Sequence, residues 1–186
     1  MNLAIAILAA GGATRFGGSK LDAMLAGRPL GRWALDAALA VPHERLTVVV
    51  TDSGPVFTQG CELLLNPHAE DGLGTSAALA ARWAEGSDAL LILLADMPLV
   101  SSGTLRKLAA AKGPAAVAYP GGKPGAPACF PAALFPALED LTGDGGAAQV
   151  LRGLEKVTLI ETPDDELRDV DRPEDLADVA AILRTR

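Results

Sequence analysis

The chain has 186 residues, of which 49% are hydrophobic and 4% aromatic, and its net charge is −7 at pH 7. This length suits one domain with a substantial core, here expected over residues 1–186, and the acidic charge argues against a nucleic-acid partner. No apolar run reaches the roughly 20 residues of a membrane span, and no basic segment precedes the first apolar run, so we expect neither a membrane partner nor a signal peptide.

The cysteines and histidines exclude two further classes of protein. Cys61 and Cys129 are far apart in the sequence and neither belongs to a CxxC motif. They are typical of small buried side chains in a cytoplasmic protein, which is the location we expect. The two histidines have no zinc-site spacing, and no serine lies in a G-x-S-x-G motif that would support a hydrolase triad.

The first predicted element is a strand at Leu3–Leu8 that leads into a glycine-rich loop over residues 9–20. The loop holds four glycines together with Arg15 and Lys20. Glycines let backbone N–H groups approach an anion, and the two cations add positive charge, so the segment predicts a phosphate-binding loop. A plain turn would need the glycines but not the cations. The spacing fits neither the Walker A motif, because Gly18 stands where lysine is required, nor the G-x-G-x-x-G motif.

Further apolar runs alternate with helical patterns along the rest of the chain. Strands are predicted at residues 46–51, 61–65, 89–94, 115–119, 127–130 and 157–160. Helices are predicted from Pro29, over 74–85, after a cap at Ser101 or Ser102, over 135–141 and 146–151, and from Pro173. This alternation predicts an α/β fold in which a doubly wound, mostly parallel sheet lies between two layers of helices. Ligands of such sheets bind beyond the carboxyl ends of the strands, where the glycine-rich loop lies.

A loop over residues 66–76 precedes the second predicted helix. It begins at Asn66 and ends at Thr75 and Ser76, either of which is suited to cap that helix. The helix N-terminus would then be able to face an anion. A simple capped helix predicts the same residues, so Ser76 is a candidate contact only.

Asp96 directly follows the most hydrophobic predicted strand, at residues 89–94. A near-continuous apolar strand is typical of the centre of a parallel sheet, so Asp96 is expected at the same edge as the glycine-rich loop. A carboxylate in front of bound phosphates is suited to Mg²⁺, which takes one or two carboxylates with phosphate oxygens and water. Asp and Pro98 are also ordinary turn residues. The glycine-rich loop favours the metal-binding interpretation.

Asp169 and Asp171 come just before the last predicted helix. In an extended segment, residues two apart project to the same side, so one of these carboxylates could reach a metal beside Asp96. Asp171 is also placed to cap the helix, and the acidic residues that follow it suit a first helical turn. The sequence does not choose between Asp169 and Asp171 as a metal ligand.

Leu8 to Lys20 resembles the L-A-A-G-x-x-x-R-[FM]-G-x-x-K signature of the nucleotidyltransferase superfamily. Within it, the chain is most similar to the MobA/MocA-like molybdenum-cofactor nucleotidyltransferases, and among these to the MocA-like cytidylyltransferases. The A-D-M-P of residues 95–98 and the D-V-D-R-P-E-D-L of residues 169–176 also resemble that family. Asp22 stands where the family has leucine, and Arg172 where it has threonine.

The resemblance implies a Rossmann-like nucleotidyltransferase fold and Mg²⁺-dependent transfer of CMP from CTP to the terminal phosphate of molybdopterin, with release of pyrophosphate. It makes Arg15, Lys20 and Asp96 the catalytic residues. Asp96 would hold the metal together with Asp171 or Asp169. The nucleotide-binding residues implied are Leu8, Ala9, Ala10, Gly11, Gly12, Arg15, Lys20, Thr51, Asp52 and Ser76. A molybdoenzyme or its chaperone is the implied protein partner.

The nucleotide and the acceptor remain open at this point. The L-A-A-G and D-V-D segments resemble cytidylyl enzymes, whereas guanylyl enzymes tend to have L-A-G-G and N-[IV]-N. Where the family has polar or basic residues facing the acceptor, this chain has Ala126, Gly145 and Ala148. The alternatives are therefore GTP-dependent transfer to the same cofactor and transfer to another phosphorylated acceptor such as a sugar phosphate. A non-catalytic domain that binds a nucleotide or chaperones a cofactor is the alternative from a different class.

Overall fold

A computed structural model describes residues 1–11, 16, 19–52 and 54–185 of the chain. Its strands are β1 (Leu3–Leu8), β2 (Met24–Leu25), β3 (Arg28–Pro29), β4 (Arg45–Val50), β5 (Glu62–Leu65), β6 (Ala89–Leu94), β7 (Ala115–Tyr119), β8 (Lys123–Pro131) and β9 (Thr158–Ile160). Its helices are α1 (Leu30–Leu39), α2 (Leu73–Trp83), α3 (Ser102–Ala109), α4 (Phe135–Glu139), α5 (Ala148–Arg152) and α6 (Asp175–Thr185).

Seven strands form one sheet in the order β5-β4-β1-β6-β8-β7-β9, while β2 and β3 form a separate two-residue ladder. Every neighbouring pair in the large sheet is parallel except those of β8, which runs antiparallel to β6 and β7. The sheet order places β1 between β4 and β6, so the chain winds outward on both sides of β1. The prediction of a doubly wound, mostly parallel sheet is confirmed.

Alternate residues of the central strands enter two separate hydrophobic clusters, one on each face of the sheet. In β1, Ile5 and Ile7 belong to the cluster that includes Leu35 of α1 and Leu105 of α3. Ala4 and Ala6 belong to the cluster formed with helices α2, α4 and α5. Because side chains alternate across a strand, a strand buried on both faces must be apolar throughout, which explains the uninterrupted runs of β1 and β6. The three layers follow from this pattern.

The structure extends or shifts several predicted elements. The strand predicted at residues 127–130 covers Lys123–Pro131 and runs against its neighbours, a direction that its composition does not reveal. The last helix begins at Asp175 rather than Pro173. Ser101 caps α3 as expected, since its hydroxyl accepts a hydrogen bond from the Thr104 N–H.

The start of α2 differs from the prediction. The helix begins at Leu73 after Gly72, so neither Thr75 nor Ser76 caps it. Gly72 has a φ of 108°, which a side chain rarely tolerates, and this explains why a glycine ends the loop. The Thr75 hydroxyl instead lies within hydrogen-bond distance of the carbonyl oxygens of both Gly72 and His68, and its one proton closes the preceding turn.

The expectation of buried thiols is met fully by Cys129 and in part by Cys61. Cys129 of β8 is buried, and burial raises the pKa of its thiol to about 12. Cys61 is half-buried, and burial raises the pKa of its thiol as well. Of the helices that the structure describes, none combines the length and the apolarity needed to cross a bilayer.

We expect Gly74→Ala to destabilise the fold, because a methyl group at Gly74 would lie 2.8 Å from the carbonyl carbon and oxygen of Thr142. Backbone cannot yield as a flexible side chain can, so the free energy of unfolding should fall by about 1–3 kcal/mol. Gly103→Ala is the matched control, since Gly103 is also the second residue of its helix but meets only the Ser101 hydroxyl, at 3.5 Å. Urea unfolding should show Gly103→Ala to be neutral or stabilising, and an equal effect of the two substitutions would contradict the packing argument.

Candidate functional site

A cavity of about 550 Å³ opens at the carboxyl ends of β1, β4 and β6. We call it the first cavity. Its wall includes backbone and side chains that follow these three strands, together with Lys20 and the segment after it. Its lining contains Leu8, Ala9, Gly11, Ser19, Lys20, Leu21, Asp22, Val50, Thr51, Asp52, Gly54, Pro55, Leu73, Leu94, Asp96 and Asp171.

Lys20 joins two carboxylates in this cavity. Its Nζ lies 2.7 Å from Oδ2 of Asp96 and 3.4 Å from Oδ1 of Asp171. The side chains of Lys20 and Asp96 are 13% and 23% exposed, whereas that of Asp171 is 55% exposed. The Lys20–Asp96 pair is therefore shielded from water, and Asp171 is the solvent-facing member of the cluster.

The sheet register brings Lys20 and Asp96 together. Leu8 and Leu94 are paired at the ends of the parallel strands β1 and β6, and the Ala95 N–H donates to the Leu8 carbonyl. The segment that follows β1 therefore starts beside Asp96. Lys20 begins a short 3₁₀ turn at the end of the glycine-rich loop, and this turn directs its side chain back to the strand ends.

Asp171 comes from a part of the chain 75 positions beyond Asp96, and backbone contacts hold it there. The Val170 N–H donates to the Asp96 carbonyl at 3.0 Å, and the Val170 side chain is fully buried. Asp175 accepts hydrogen bonds from the N–H groups of Asp171 and Arg172, and these bonds lower the pKa of its carboxyl. Asp175, not Asp171, therefore fixes the turn before α6.

Glu166 anchors the same segment on α3. Its carboxylate is buried and accepts hydrogen bonds from the Thr104 hydroxyl at 2.6 Å and from the Ser101 N–H at 3.2 Å. Buried carboxylates are found where such donors satisfy them. Together with the buried Val170, this contact holds the segment that carries Asp169 and Asp171 beside the first cavity.

The carboxylates interact through space. Burial, followed by repulsion from Asp171 and Asp96, raises the pKa of Asp169. Burial of Lys20 would lower the pKa of its ammonium group, but attraction to Asp96 and Asp171 and the hydrogen bonds to them raise it overall. Lys20 is therefore charged at neutral pH, and it offsets part of the negative charge gathered at this edge of the sheet.

The donor set of the first cavity fits a divalent cation. Oδ1 of Asp96 is buried and has no hydrogen-bond partner among the described residues. Asp96 and Asp171 already converge on one cationic group, the Lys20 ammonium. Across the described ranges, no three His, Cys, Asp or Glu side chains form a group that could hold a metal by themselves. A cation here would rest on one or two carboxylates and complete its shell with ligand oxygens and water, as Mg²⁺ commonly does.

The structure brings together most of the residues expected at the site. Those that line the first cavity are Leu8, Ala9, Gly11, Lys20, Thr51, Asp52, Asp96 and Asp171. Asp169 lies in the adjoining hollow next to Asp171. Gly12 and Arg15 fall outside the residues that the structure describes.

Two expected residues face away from the cavity. The methyl group of Ala10 is packed in the hydrophobic cluster of α2, α4 and α5. Ser76 is 2% exposed, and its hydroxyl accepts a hydrogen bond from the buried Asn66 side chain. Neither belongs to the lining of the first cavity, and Ser76 instead ties the loop after β5 to α2.

A second cavity of about 560 Å³ adjoins the first, and Leu8, Leu73 and Leu94 contribute to both. Ala126, Gly145 and Ala148 lie in its lining, so the three positions where the family has polar or basic residues facing the acceptor share one site. The rest of its lining comprises Ile92, Tyr119, Lys123, Pro124, Gly125, Ala128, Gly146, Ala147 and Arg152.

Sequence reasoning missed several residues of both cavities. Leu73 and Leu94 form the border between the cavities, but an apolar residue that ends a strand or starts a helix gives no signal of this role. Lys123 and Arg152 carry charge at the second cavity, and no motif assigned either side chain a role. Asp22 could have been suspected, because it departs from the family pattern within the phosphate-loop segment.

The sequence pattern of the MobA-like NTP transferase domain matches residues 5–158. The purine catabolism protein PucB of Bacillus subtilis (strain 168) is 33% identical over 186 aligned residues, which cover 90% of this chain and 91% of PucB. The match thus extends over nearly the whole of both proteins.

Solved structures share the fold. A nucleotidyl transferase from Methanothermobacter (Mth528) superposes with a TM-score of 0.83 at 22% identity and covers 100% of this chain and 99% of that one. The manganese complex of Rv0371c from Mycobacterium tuberculosis superposes with a TM-score of 0.76 at 20% identity, and the match covers 97% of this chain and 99% of that one. Molybdopterin-guanine dinucleotide biosynthesis protein A from Archaeoglobus fulgidus superposes with a TM-score of 0.68 at 18% identity, and the match covers 98% of this chain and 100% of that one.

We expect Glu166→Ala to loosen the segment that carries Asp171, because the substitution leaves the Ser101 N–H and the Thr104 hydroxyl without their acceptor. The free energy of unfolding should fall by about 1–3 kcal/mol, and the Val170 amide should exchange faster with deuterium. Urea unfolding and hydrogen exchange measure the two effects. Glu161→Ala removes an exposed carboxylate nearby and is the control; a similar loss in both variants would refute the anchoring role.

Proposed function

Because the chain belongs to the MobA-like NTP transferase domain family and is a nucleotidyltransferase, we propose that it transfers CMP from CTP to the terminal phosphate of molybdopterin. One observation carries this proposal. The first cavity holds Lys20 between Asp96 and Asp171, and it opens into a second cavity across a border of three leucines. Two adjoining spaces with a charged cluster on one side suit a nucleotide and an acceptor that react where they meet.

In the proposed reaction, an oxygen of the acceptor's terminal phosphate forms a bond to the α-phosphorus of CTP. The bond from that phosphorus to the oxygen that bridges the α- and β-phosphates breaks, and its electron pair leaves with pyrophosphate. Such a transfer needs little covalent work from the protein, so its rate depends on in-line positioning and on groups that offset negative charge.

Lys20 is the described residue best placed to offset that charge. Its ammonium group is held at the strand ends by Asp96 and is shielded from water, which strengthens its electrostatic effect. The family pattern assigns Arg15 a similar role toward the phosphates. The backbone at Gly11, which lines the first cavity without a side chain, permits close approach of the triphosphate.

We propose Mg²⁺ as the cofactor, held by Asp96 and Asp171. When bound, Mg²⁺ would neutralise part of the negative charge of the phosphates. The buried, unpartnered Oδ1 of Asp96 supports this assignment, as does the manganese complex of the related fold. Asp171 is preferred to Asp169 as the second ligand because Asp171 lines the first cavity and contacts Lys20.

The preference for CTP is supported by sequence rather than by contact. The L-A-A-G segment and the D-V-D segment resemble cytidylyl enzymes, but the methyl group of Ala10 lies in the core. A glycine at residue 10 would therefore act on the base through the backbone of Ala9 and Gly11, which do line the cavity. Thr51 and Asp52 also line the first cavity, and we propose that they contact the base.

The choice of molybdopterin is supported by the family rather than by the lining of the second cavity. That lining is mostly apolar, and Ala126, Gly145 and Ala148 stand where the family has polar or basic groups facing the acceptor. The cavity offers an acceptor space beside the charged cluster, but it lacks three groups that the family directs at molybdopterin, so the acceptor is the part of the proposal that a pyrophosphate-release assay tests most directly.

We expect pyrophosphate release with CTP, and little with GTP, ATP or UTP, when the purified chain is given Mg²⁺ and molybdenum-loaded molybdopterin. A coupled phosphate assay measures the release, and mass spectrometry identifies the dinucleotide product. Release of pyrophosphate with GTP alone would mean that the chain transfers GMP rather than CMP. Binding of all four nucleotides without pyrophosphate release would rule out molybdopterin as the acceptor.

Variants of the charged cluster test the origin of that activity. Lys20→Met and Asp96→Asn should each lower the rate about 100-fold or more, as the loss of a preorganised charge commonly does. Lys107→Met and Asp140→Asn remove matched charges from exposed positions away from both cavities and should retain the rate. Equal rates for the two pairs of variants would refute the site.

The metal assignment gives a separate prediction, measured by Mn²⁺ titration in the presence of a non-hydrolysable CTP analogue. Asp96→Asn and Asp171→Asn should each weaken Mn²⁺ binding about tenfold or more, because each removes a charged ligand. Asp169→Asn should weaken it less, since Asp169 lies outside the first cavity. If Asp169→Asn weakened Mn²⁺ binding more than Asp171→Asn did, Asp169 rather than Asp171 would be the second metal ligand.

A further inference from the structure

We infer that Lys123 and Arg152 bind a second anionic group of the acceptor, so that the acceptor is a flat, largely apolar molecule with an anion apart from its reacting phosphate. This inference rests on the proposed transfer to a bound acceptor. It assigns a specificity role to two residues to which no motif assigned a role.

The lining of the second cavity is mostly apolar, and the aromatic ring of Tyr119 forms a flat and rigid part of it. The Tyr119 hydroxyl donates to the Ala126 carbonyl at 3.0 Å, and the Tyr119 ring packs on Gly125, where an added Cβ would collide with the ring. Tyr119 is thus fixed by a hydrogen bond on one side and by a glycine on the other. A planar group can stack on or lie along such a ring at little entropic cost.

Lys123 and Arg152 supply the only charges of that lining, as far as the structure describes it. Both are exposed, and no ion pair or hydrogen bond to another described residue engages either side chain. Two free cations in one apolar cavity contrast with a chain whose net charge is −7. They complement an anionic ligand and would attract it into the cavity.

The position of the two cations separates them from the reacting centre. Of the two cavities, Lys20, Asp96 and Asp171 line the first and not the second, whereas Lys123 and Arg152 line the second and not the first. The reacting phosphate must lie where the cavities meet, near Leu8, Leu73 and Leu94. An anion at Lys123 and Arg152 is therefore a different group of the same molecule, and it contributes to binding rather than to the chemical step.

A dye with the inferred chemistry tests the site without relying on the transfer reaction. Anilinonaphthalene sulfonate is a flat apolar molecule with one anion, and its fluorescence rises when it binds in an apolar site. We expect the full chain to bind it, each of Lys123→Ala and Arg152→Ala to weaken binding about tenfold, and the double variant about 100-fold. Lys107→Ala, on the opposite face of the sheet, should bind as the unmodified chain does.

Two comparisons make the dye measurement decisive. Neutral N-phenylnaphthylamine should bind the double alanine variant and the unmodified chain equally well, which shows that the apolar cavity is intact. The charge-preserving pair Lys123→Arg and Arg152→Lys should retain most of the sulfonate binding. Equal binding of the sulfonate to the double alanine variant and to Lys107→Ala would overturn the inference, whether or not the chain transfers CMP.

Kinetics then distinguish a binding role from a role in the chemical step. With an acceptor that supports pyrophosphate release, the alanine variants should raise the KM for the acceptor about tenfold each and leave kcat and the KM for CTP unchanged. A fall in kcat with an unchanged acceptor KM would place the two cations on the reacting phosphate and contradict the inference.

Discussion

The ion pair between Lys20 and Asp96 is the contact on which the site depends. It joins the end of the glycine-rich loop to the end of the central strand β6, and the pairing of Leu8 with Leu94 makes that contact possible. Parallel neighbours bring their carboxyl ends to one edge, and two residues 76 positions apart in the chain meet there. Each further part of the site, including Asp171 and the two cavities, is arranged around this edge.

The site gathers negative charge in a place that must receive a still more negative substrate. Asp96 and Asp171 repel Asp169, and this repulsion adds to the effect of burial in raising the pKa of Asp169. Lys20 alone offsets only part of that charge. A divalent cation would convert the repulsion into attraction for a triphosphate, so the same carboxylates that disfavour the nucleotide alone would favour its metal complex. In the proposed reaction, selectivity for a metal-bound nucleotide would therefore arise from charge balance.

The sequence supports much of the fold but only part of the site. Periodicity identified β1 and β6 because strands buried on both faces must be apolar, and this also located Asp96 at a strand end. It could not reveal that β8 runs antiparallel, since direction leaves no mark on composition. The sequence makes Ser76 only a candidate contact, and it could not reveal that the Ser76 hydroxyl is buried against Asn66. The bond from Val170 to Asp96 joins two backbones and is invisible to side-chain patterns.

The anchoring of residues 166–171 on α3 and on Asp96 has a consequence for the order in which the protein matures. A ribosome releases the phosphate loop and Asp96 long before it releases Asp171. A nascent chain that has already paired β1 with β6 would therefore have one carboxylate at the site and lack the other. Competence for metal-assisted chemistry would arise only when the segment before α6 docks, which makes that docking the last step of active-site assembly during synthesis.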